Sequence, residues 1–431
     1  MQTAFGSTRI HKGQLIDGTG AVPVPNAVVL VKDGRIAYAG PAQGAPPADP
    51  AAQTIDAQGG TILPGLVEAH YHPTYFNVAA LEDLDIKYPV EYVSLLAAAN
   101  TRLALECGYT AARSGGSLFN IDVWLKKAIE AGLVPGPRLA ASGREICGVG
   151  GLMDWNPDFR KIGMEGLVLL INGPDEGRAA VRALVKDGVE WVKTYPTGDA
   201  AAPDTNDHHT LCMTFAEMHA VVQTAHNHRL KVTGHCRATE GIKNALKAGY
   251  DTIEHGTFMD EECLELLLQR NTPMIPALQF EYASVKRGPE IGMPQAVIDG
   301  HQETLEGGAE SARRILKAGG RLGMGGDYGF AWNPHGDYAK ELSFFVSYVG
   351  LSPLEVIKCA TQTGAQIMGR GEEFGTVEKG KLADILVVDA DLTKEISALE
   401  DRRRFIAVMQ GGFIRAGRLA TATFTDASLV R

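Results

Sequence analysis

No CxxC pair occurs in this chain. Its six cysteines, Cys107, Cys147, Cys212, Cys236, Cys263 and Cys359, are scattered, which excludes a thiolate zinc site and a disulfide framework. Positive charge is also in the minority, with 41 Lys and Arg against 51 Asp and Glu and a formal net charge of −10. The cations are dispersed, so nothing tracks a phosphate backbone and no nucleic acid is expected as a partner. No run of about twenty apolar residues is present to span a bilayer, and the opening MQTAFGSTRIHKG lacks the apolar core of a signal peptide. The expectation is a soluble cytoplasmic protein with no membrane contact.

What is present falls into two styles of sequence. Up to about residue 60, short alternating runs such as AVVLVKDGRIAYAG carry a DG turn, the mark of a hairpin in a small sheet. The same style returns in GTVEKGKLADILVVDAD and FIAVMQGGFIRAGR, so the two chain ends are expected to form one β-sandwich. Its parts would be residues 1–62 and 372–431. Between them, over 63–371, short apolar strands alternate with amphipathic helices, which predicts a parallel sheet of βα units. Eight strand candidates can be counted: TILPGLVEAH, YTAARSG, PRLAASG, EWVKTYP, LKVTGHC, DTIEHGT, PMIPALQ and RLGMGGD. The fold class read from this pattern is α/β, a (β/α)8 TIM barrel beside a small β-sandwich domain.

Barrel chemistry sits at the C-terminal ends of the strands. There the first candidate ends in His70 and His72, the fourth carries Lys193, the fifth His235, the sixth His255 and the eighth Asp327. Positions 70 and 72 share a strand face, about 7 Å apart along the backbone, with Tyr71 turned away. A lone HxH is more often two partly exposed histidines than a ligand pair, but four further polar residues at the same rim favour metal. Lys193 is the odd member, because an ammonium has no lone pair to give. Beside divalent ions its proton is readily lost, and the free amine can take up carbon dioxide to become an anionic carbamate that bridges two metals.

The set HYH, the lysine of WVKTYPTG, the histidines of TGHCRA and IEHGT and the aspartate of MGGDYG resembles the binuclear amidohydrolase superfamily. The resemblance runs through the whole chain, closing segment included. It implies that His70, His72 and Asp327 hold one ion, that His235 and His255 hold the other, and that carboxylated Lys193 bridges both. Nitrogen and oxygen donors suit Zn²⁺, with Co²⁺ and Mn²⁺ left open. It further implies a bridging hydroxide as nucleophile, Asp327 as the catalytic group passing a proton to the departing amine, and a homo-oligomer.

Substrate is less constrained. The segments GPRLAASGREICGVGGLMDWNP and GGDYGFAWNPHGDYAKEL resemble the imidazolonepropionase-related branch, whose relatives include prolidase-like dipeptidases, ochratoxin-hydrolysing amidases and molinate hydrolase. Many of these carry a histidine after the paired glycines, where this chain has Leu152. Aromatic residues are only 7% of the chain, so the grouping of Tyr328, Phe330 and Trp332 stands out. With Met153 and Trp155 these suggest a pocket for a small hydrophobic or aromatic amide, carbamate or urea. His335, in the loop after Asp327, is a further candidate to touch substrate. The remaining histidines, His301, His208 and His209 among them, read as solvated or structural, and the glycines of SGGS as loop hinges. A dipeptidase or N-acyl amino acid hydrolase, a cyclic-amide hydrolase or deaminase, and a Schiff-base lyase using Lys193 are the competing readings.

Overall fold

The computed structural model of this chain describes residues 6–156, 159, 166–202, 204 and 206–420. The outermost parts of the expected β domain, residues 1–5 and 421–431, lie outside the described residues. The first strands are β1 (Thr8–Leu15), β2 (Val24–Lys32), β3 (Arg35–Pro41), β4 (Gln53–Asp56) and β5 (Thr61–Pro64). A parallel set follows: β6 (Leu66–Tyr71), β7 (Tyr109–Ser114), β8 (Arg138–Ala140), β9 (Glu145–Gly148), β10 (Val168–Ile171), β11 (Trp191–Thr194), β12 (Lys231–Cys236), β13 (Thr252–His255) and β14 (Met274–Ile275). The chain closes with β15 (Ile385–Val388), β16 (Phe405–Gln410) and β17 (Phe413–Ala416).

Both chain ends build one mixed sheet of eight strands, ordered β17-β16-β15-β5-β1-β2-β3, with β4 on β1. The DG turn is there: Lys32 pairs with Arg35, and Asp33 and Gly34 both take positive φ, as a tight hairpin turn requires. TILPGLVEAH, read as one strand, is two. Its first half, β5, stays in the β sheet, where Pro64 pairs with Ile385, and β6 begins the parallel set after Gly65. Strands β5 and β15 separate two cores. Ile62, Ile385 and Val387 pack inside the β domain, while Leu63, Leu386 and Val388 pack against the parallel unit. Side chains of a strand alternate between faces, so only a run apolar at every position can serve both cores.

The parallel strands form a three-stranded sheet, β6-β7-β8, and a six-stranded sheet, β10-β9-β11-β12-β13-β14. The ladders do not close on themselves. Backbone bonds cross the gaps, among them Trp191 N to Ala141 O at 3.1 Å, Gly323 N to Met274 O at 2.8 Å and Ala69 N to Met324 O at 2.9 Å. Two expectations need correction here. RLGMGGD contributes one bridge, Met274 to Leu322, instead of a strand, because its glycines follow the floor of the site closely. Conversely, the short runs EICG and VLLI, not counted from the sequence, are β9 and β10.

Amphipathic helices cover the parallel strands. Helix Phe215–Asn227 starts at a capping box between Thr214 and Glu217 and buries Met218, Val221, Val222 and Ala225, the i, i+3, i+4, i+7 stripe of a helix with one apolar face. Among the described residues no helix is long and apolar enough to cross a membrane.

Candidate metal centre

Strand β6 delivers His70 and His72 to one face, their ring centroids 5.1 Å apart. His255, at the end of β13, lies 5.3 Å from His70 and 4.3 Å from His235 of β12, centroid to centroid. Asp327 Oδ1 stands 3.5 Å from His72 Nε2 and 4.0 Å from His70 Nε2. Ligand atoms of His70, His72 and Asp327 lie within 4.8 Å of one another. Lys193 of β11 is buried in the same place, its Nζ 5.1 Å from the Tyr195 ring. The six strand-end residues singled out in the sequence therefore meet at one floor.

Local backbone sets their aim. His255 and Asp327 both take left-handed φ, 66° and 53°, a conformation that non-glycine residues adopt at a cost of about 1 kcal/mol or more. Gly256 N holds the first bend through Cys236 O at 2.9 Å. Buried Asn333 holds the second, its Nδ2 donating to Gly326 O at 2.7 Å and Asp327 O at 3.1 Å. Gly115, read as a hinge, and Gly325 have no room for a side chain. A Cβ on Gly115 would stand 2.7 Å from His70 Cδ2, and one on Gly325 would stand 2.4 Å from the His70 nitrogen.

The electrostatics favour metal ligation. Burial holds the imidazoles of His70, His72 and His255 well below their ordinary range and lowers His235 too, so all four present neutral rings with lone pairs. Outer contacts fix which nitrogen is free. His72 Nδ1 donates to Gly116 O at 3.2 Å, leaving Nε2 toward Asp327, and His235 Nε2 donates to Gly198 O at 3.2 Å, leaving Nδ1 free. Both ring nitrogens of His70 and of His255, and Asp327 Oδ1, are buried with no hydrogen-bond partner among the described residues. Each such orphan costs about 1–3 kcal/mol, and a cation that takes the lone pairs removes that cost. Burial, opposed by Lys193, pushes the Asp327 carboxyl up to about 7.

Glu254 escaped the sequence reading. Strand alternation places it opposite His255, yet its carboxylate accepts from both Lys193 Nζ and Arg113 Nη2, fully buried. Burial works against the charge, but Lys193 and Arg113 hold Glu254 well below the usual carboxylate range. The signal was there in AARSG and IEHG: two buried strands carrying opposite charges.

A cavity of about 560 Å³ opens above this floor. Leu152 lines it, with Met153, Trp155, Phe280, Phe330 and Trp332. His335 and Tyr328, expected to touch substrate, do not line it. His335 is spent on Tyr338 Oη and Tyr75 O, each at 2.9 Å, and Tyr328 Oη donates to Tyr338 O at 2.9 Å. Both brace the loop after Asp327 from behind. His301, read as structural or solvated, is buried at the cavity wall. Glu281 Oε2 takes its Nδ1 proton at 2.7 Å, and Nε2 has no partner among the described residues. Arg237 links this group to the floor, bonding Glu281 at 2.6 Å and Asp199 at 2.6 Å, with Asp199 3.3 Å from His235 Nε2.

The amidohydrolase family profile matches residues 61–414. The chain is 26% identical over 444 residues to an ochratoxinase of Aspergillus niger, covering 95% of this chain and 87% of that protein. An imidazolonepropionase of Salinispora arenicola is 24% identical, covering 88% and 91%. A solved Xaa-Pro dipeptidase with methionine in its active site superposes with a TM-score of 0.85 at 28% identity, covering 95% and 99%. These neighbours imply a TIM-barrel-type α/β domain joined to a β domain.

Proposed function

This chain belongs to the amidohydrolase family and is a hydrolase acting on C–N bonds; from that premise we propose that it cleaves the amide, carbamate or urea bond of a small, uncharged, hydrophobic substrate. We assign His70, His72 and Asp327 to one divalent ion, His235 and His255 to a second, and Lys193, as its carbamate, to both. Divalent ions with this donor set, Zn²⁺ first and Co²⁺ or Mn²⁺ as alternatives, supply Lewis acidity and acidify water near neutral pH.

The chain's own groups do the rest. His72 and His235 are oriented by backbone carbonyls, so no ring rotation precedes reaction. The Asp327 carboxylate takes a proton and returns it to the departing amine, whose anion would be a very poor leaving group. Glu254 holds the Lys193 nitrogen as an ion pair and yields it when the carbamate forms. The apolar walls exclude water from the floor.

The observation that carries the substrate reading is the lining of the cavity. Its only lysine or arginine among the described residues is Lys193, at the floor and already paired with Glu254. A dipeptide, as the name of the dipeptidase neighbour suggests, or an N-acyl amino acid brings a carboxylate that finds no such cation at the walls. Anilides, carbamates and phenylureas bring none. The proposal also keeps a closed eight-stave barrel, supported by the backbone bonds across the sheet gaps. Of the expected limits 1–62, 63–371 and 372–431, the proposal shifts the first to Gly65, after β5, and keeps the second. A homo-oligomer, implied by the family resemblance, remains part of it.

Turnover of Zn²⁺-loaded protein on matched panels tests the reading. Acetanilides and phenylureas should exceed Xaa-Pro dipeptides and N-acylphenylalanine in kcat/KM by about tenfold or more. The reverse order would replace it with the dipeptidase or N-acyl amino acid reading.

A further inference from the structure

Away from the floor, a second group of metal-type donors meets among the described residues. His208 and His209 belong to the loop after β11, and Glu303 to the helix Gln295–Lys317. His208 Nε2 lies 3.3 Å from Glu303 Oε2, and His209 Nε2 lies 3.7 Å from Glu303 Oε1. We propose that His208, His209 and Glu303 bind a divalent transition-metal ion of the zinc class, and that this ion clips the loop to the long helix.

The separations distinguish ligands from a plain ion pair. A charge-assisted hydrogen bond would draw nitrogen and oxygen to about 2.7–2.9 Å. Ligands about 2.1 Å from a tetrahedral ion stand about 3.4 Å from one another; His208 Nε2 is 3.3 Å from one Glu303 oxygen, His209 Nε2 is 3.7 Å from the other, and one ligand atom from each of the three residues lies within 4.8 Å of the others. The chemistry agrees, since two imidazoles and one carboxylate without thiolate select Zn²⁺ over Ca²⁺ or Mg²⁺.

The loop presents the rings ready-made. Asp207 Oδ1 accepts from His209 N at 3.0 Å and from Thr210 Oγ1 at 2.8 Å, and Phe258 packs against both rings, with centroids at 5.2 and 4.6 Å. His208 is buried, 7% exposed, and its Nδ1 has no partner among the described residues.

The clip would bear on the cavity. Asp199 and Ala201 of the loop, and Val297 and His301 of the helix, line it from two sides. An ion bridging the two elements fixes the width of the mouth without touching the floor.

Metal analysis after dialysis against Zn²⁺ tests this on the full chain, comparing wild type with His209→Ala and Glu303→Gln. Both variants should hold about one ion fewer per chain than wild type, and loop 198–212 should lose protection from hydrogen exchange. Because the readout is a difference between proteins with an unchanged floor, it stands apart from the fate of the floor assignment. Equal metal content in all three proteins would leave only a surface ion pair and overturn the proposal.

Discussion

The floor and the walls of the cavity are built on opposite principles. At the floor, buried polar atoms of His70, His255 and Asp327 have no hydrogen-bond partner among the described residues, an arrangement that an electrophile bound between them would stabilise. At the walls, the indole nitrogens are paired away from the cavity, although His301 Nε2 has no partner among the described residues. Trp332 Nε1 donates to Ser284 Oγ at 2.8 Å and Trp155 Nε1 to Asp85 Oδ2 at 2.9 Å, leaving their ring faces as apolar surface. Phe280 packs against Phe330 and Trp332 with centroids at 4.7 and 6.0 Å. The floor therefore fixes the reaction, and the walls choose what reaches it.

Mutations should divide along the same line. The largest effect is expected at Lys193→Ala or His72→Ala, with kcat falling about 10³-fold or more together with the metal content. A metal-depleted but fully active Lys193→Ala would break the division outright. Next comes Gly325→Ala, whose added methyl meets the His70 backbone nitrogen at 2.4 Å. It should shift the ligand strand and lower kcat about 10²-fold while leaving KM nearly unchanged. At the walls, Trp332→Ala should raise KM about tenfold for an anilide with kcat within a few-fold, since it removes binding shared by ground and transition states. A fall in kcat alone would place Trp332 in the chemistry.

The smallest effect on turnover is expected at Glu341, behind the walls. Burial pushes its carboxyl up to about 8, against the backbone N–H groups of Gln279 and Leu278 that pull it down. The folded protein thus keeps a proton that the unfolded chain releases near the ordinary value of 4.5. Between those two values the native state binds more protons, so stability falls as pH rises. In Glu341→Gln, denaturant unfolding across that window should show a flatter pH slope than wild type, and an unchanged slope would remove Glu341 as its source.

The floor was legible because it depends on two simple regularities. Alternation put His70 and His72 on one face, and βα repetition put the strand ends of residues far apart in the chain at one rim. Where either regularity fails, the reading failed with it. Positive φ at His255 upsets alternation, which hid Glu254. Gly115 looked like a hinge because the side chains that crowd it, His70 and His72, are distant in sequence. His335 and Tyr328 follow Asp327 closely, yet their loop folds so that Tyr338 and Tyr75 claim them. His301, on a helix far from any ligand motif, reaches the cavity only through packing.

The most direct measurement is metal titration of hydrolysis, made on the Glu303→Gln background so that only the floor is counted. About two ions per chain should be present, activity should vanish as a chelator removes them, and Zn²⁺ should restore it. Undiminished hydrolysis by a preparation shown to be free of metal would contradict the assignment of His70, His72, Lys193, His235, His255 and Asp327.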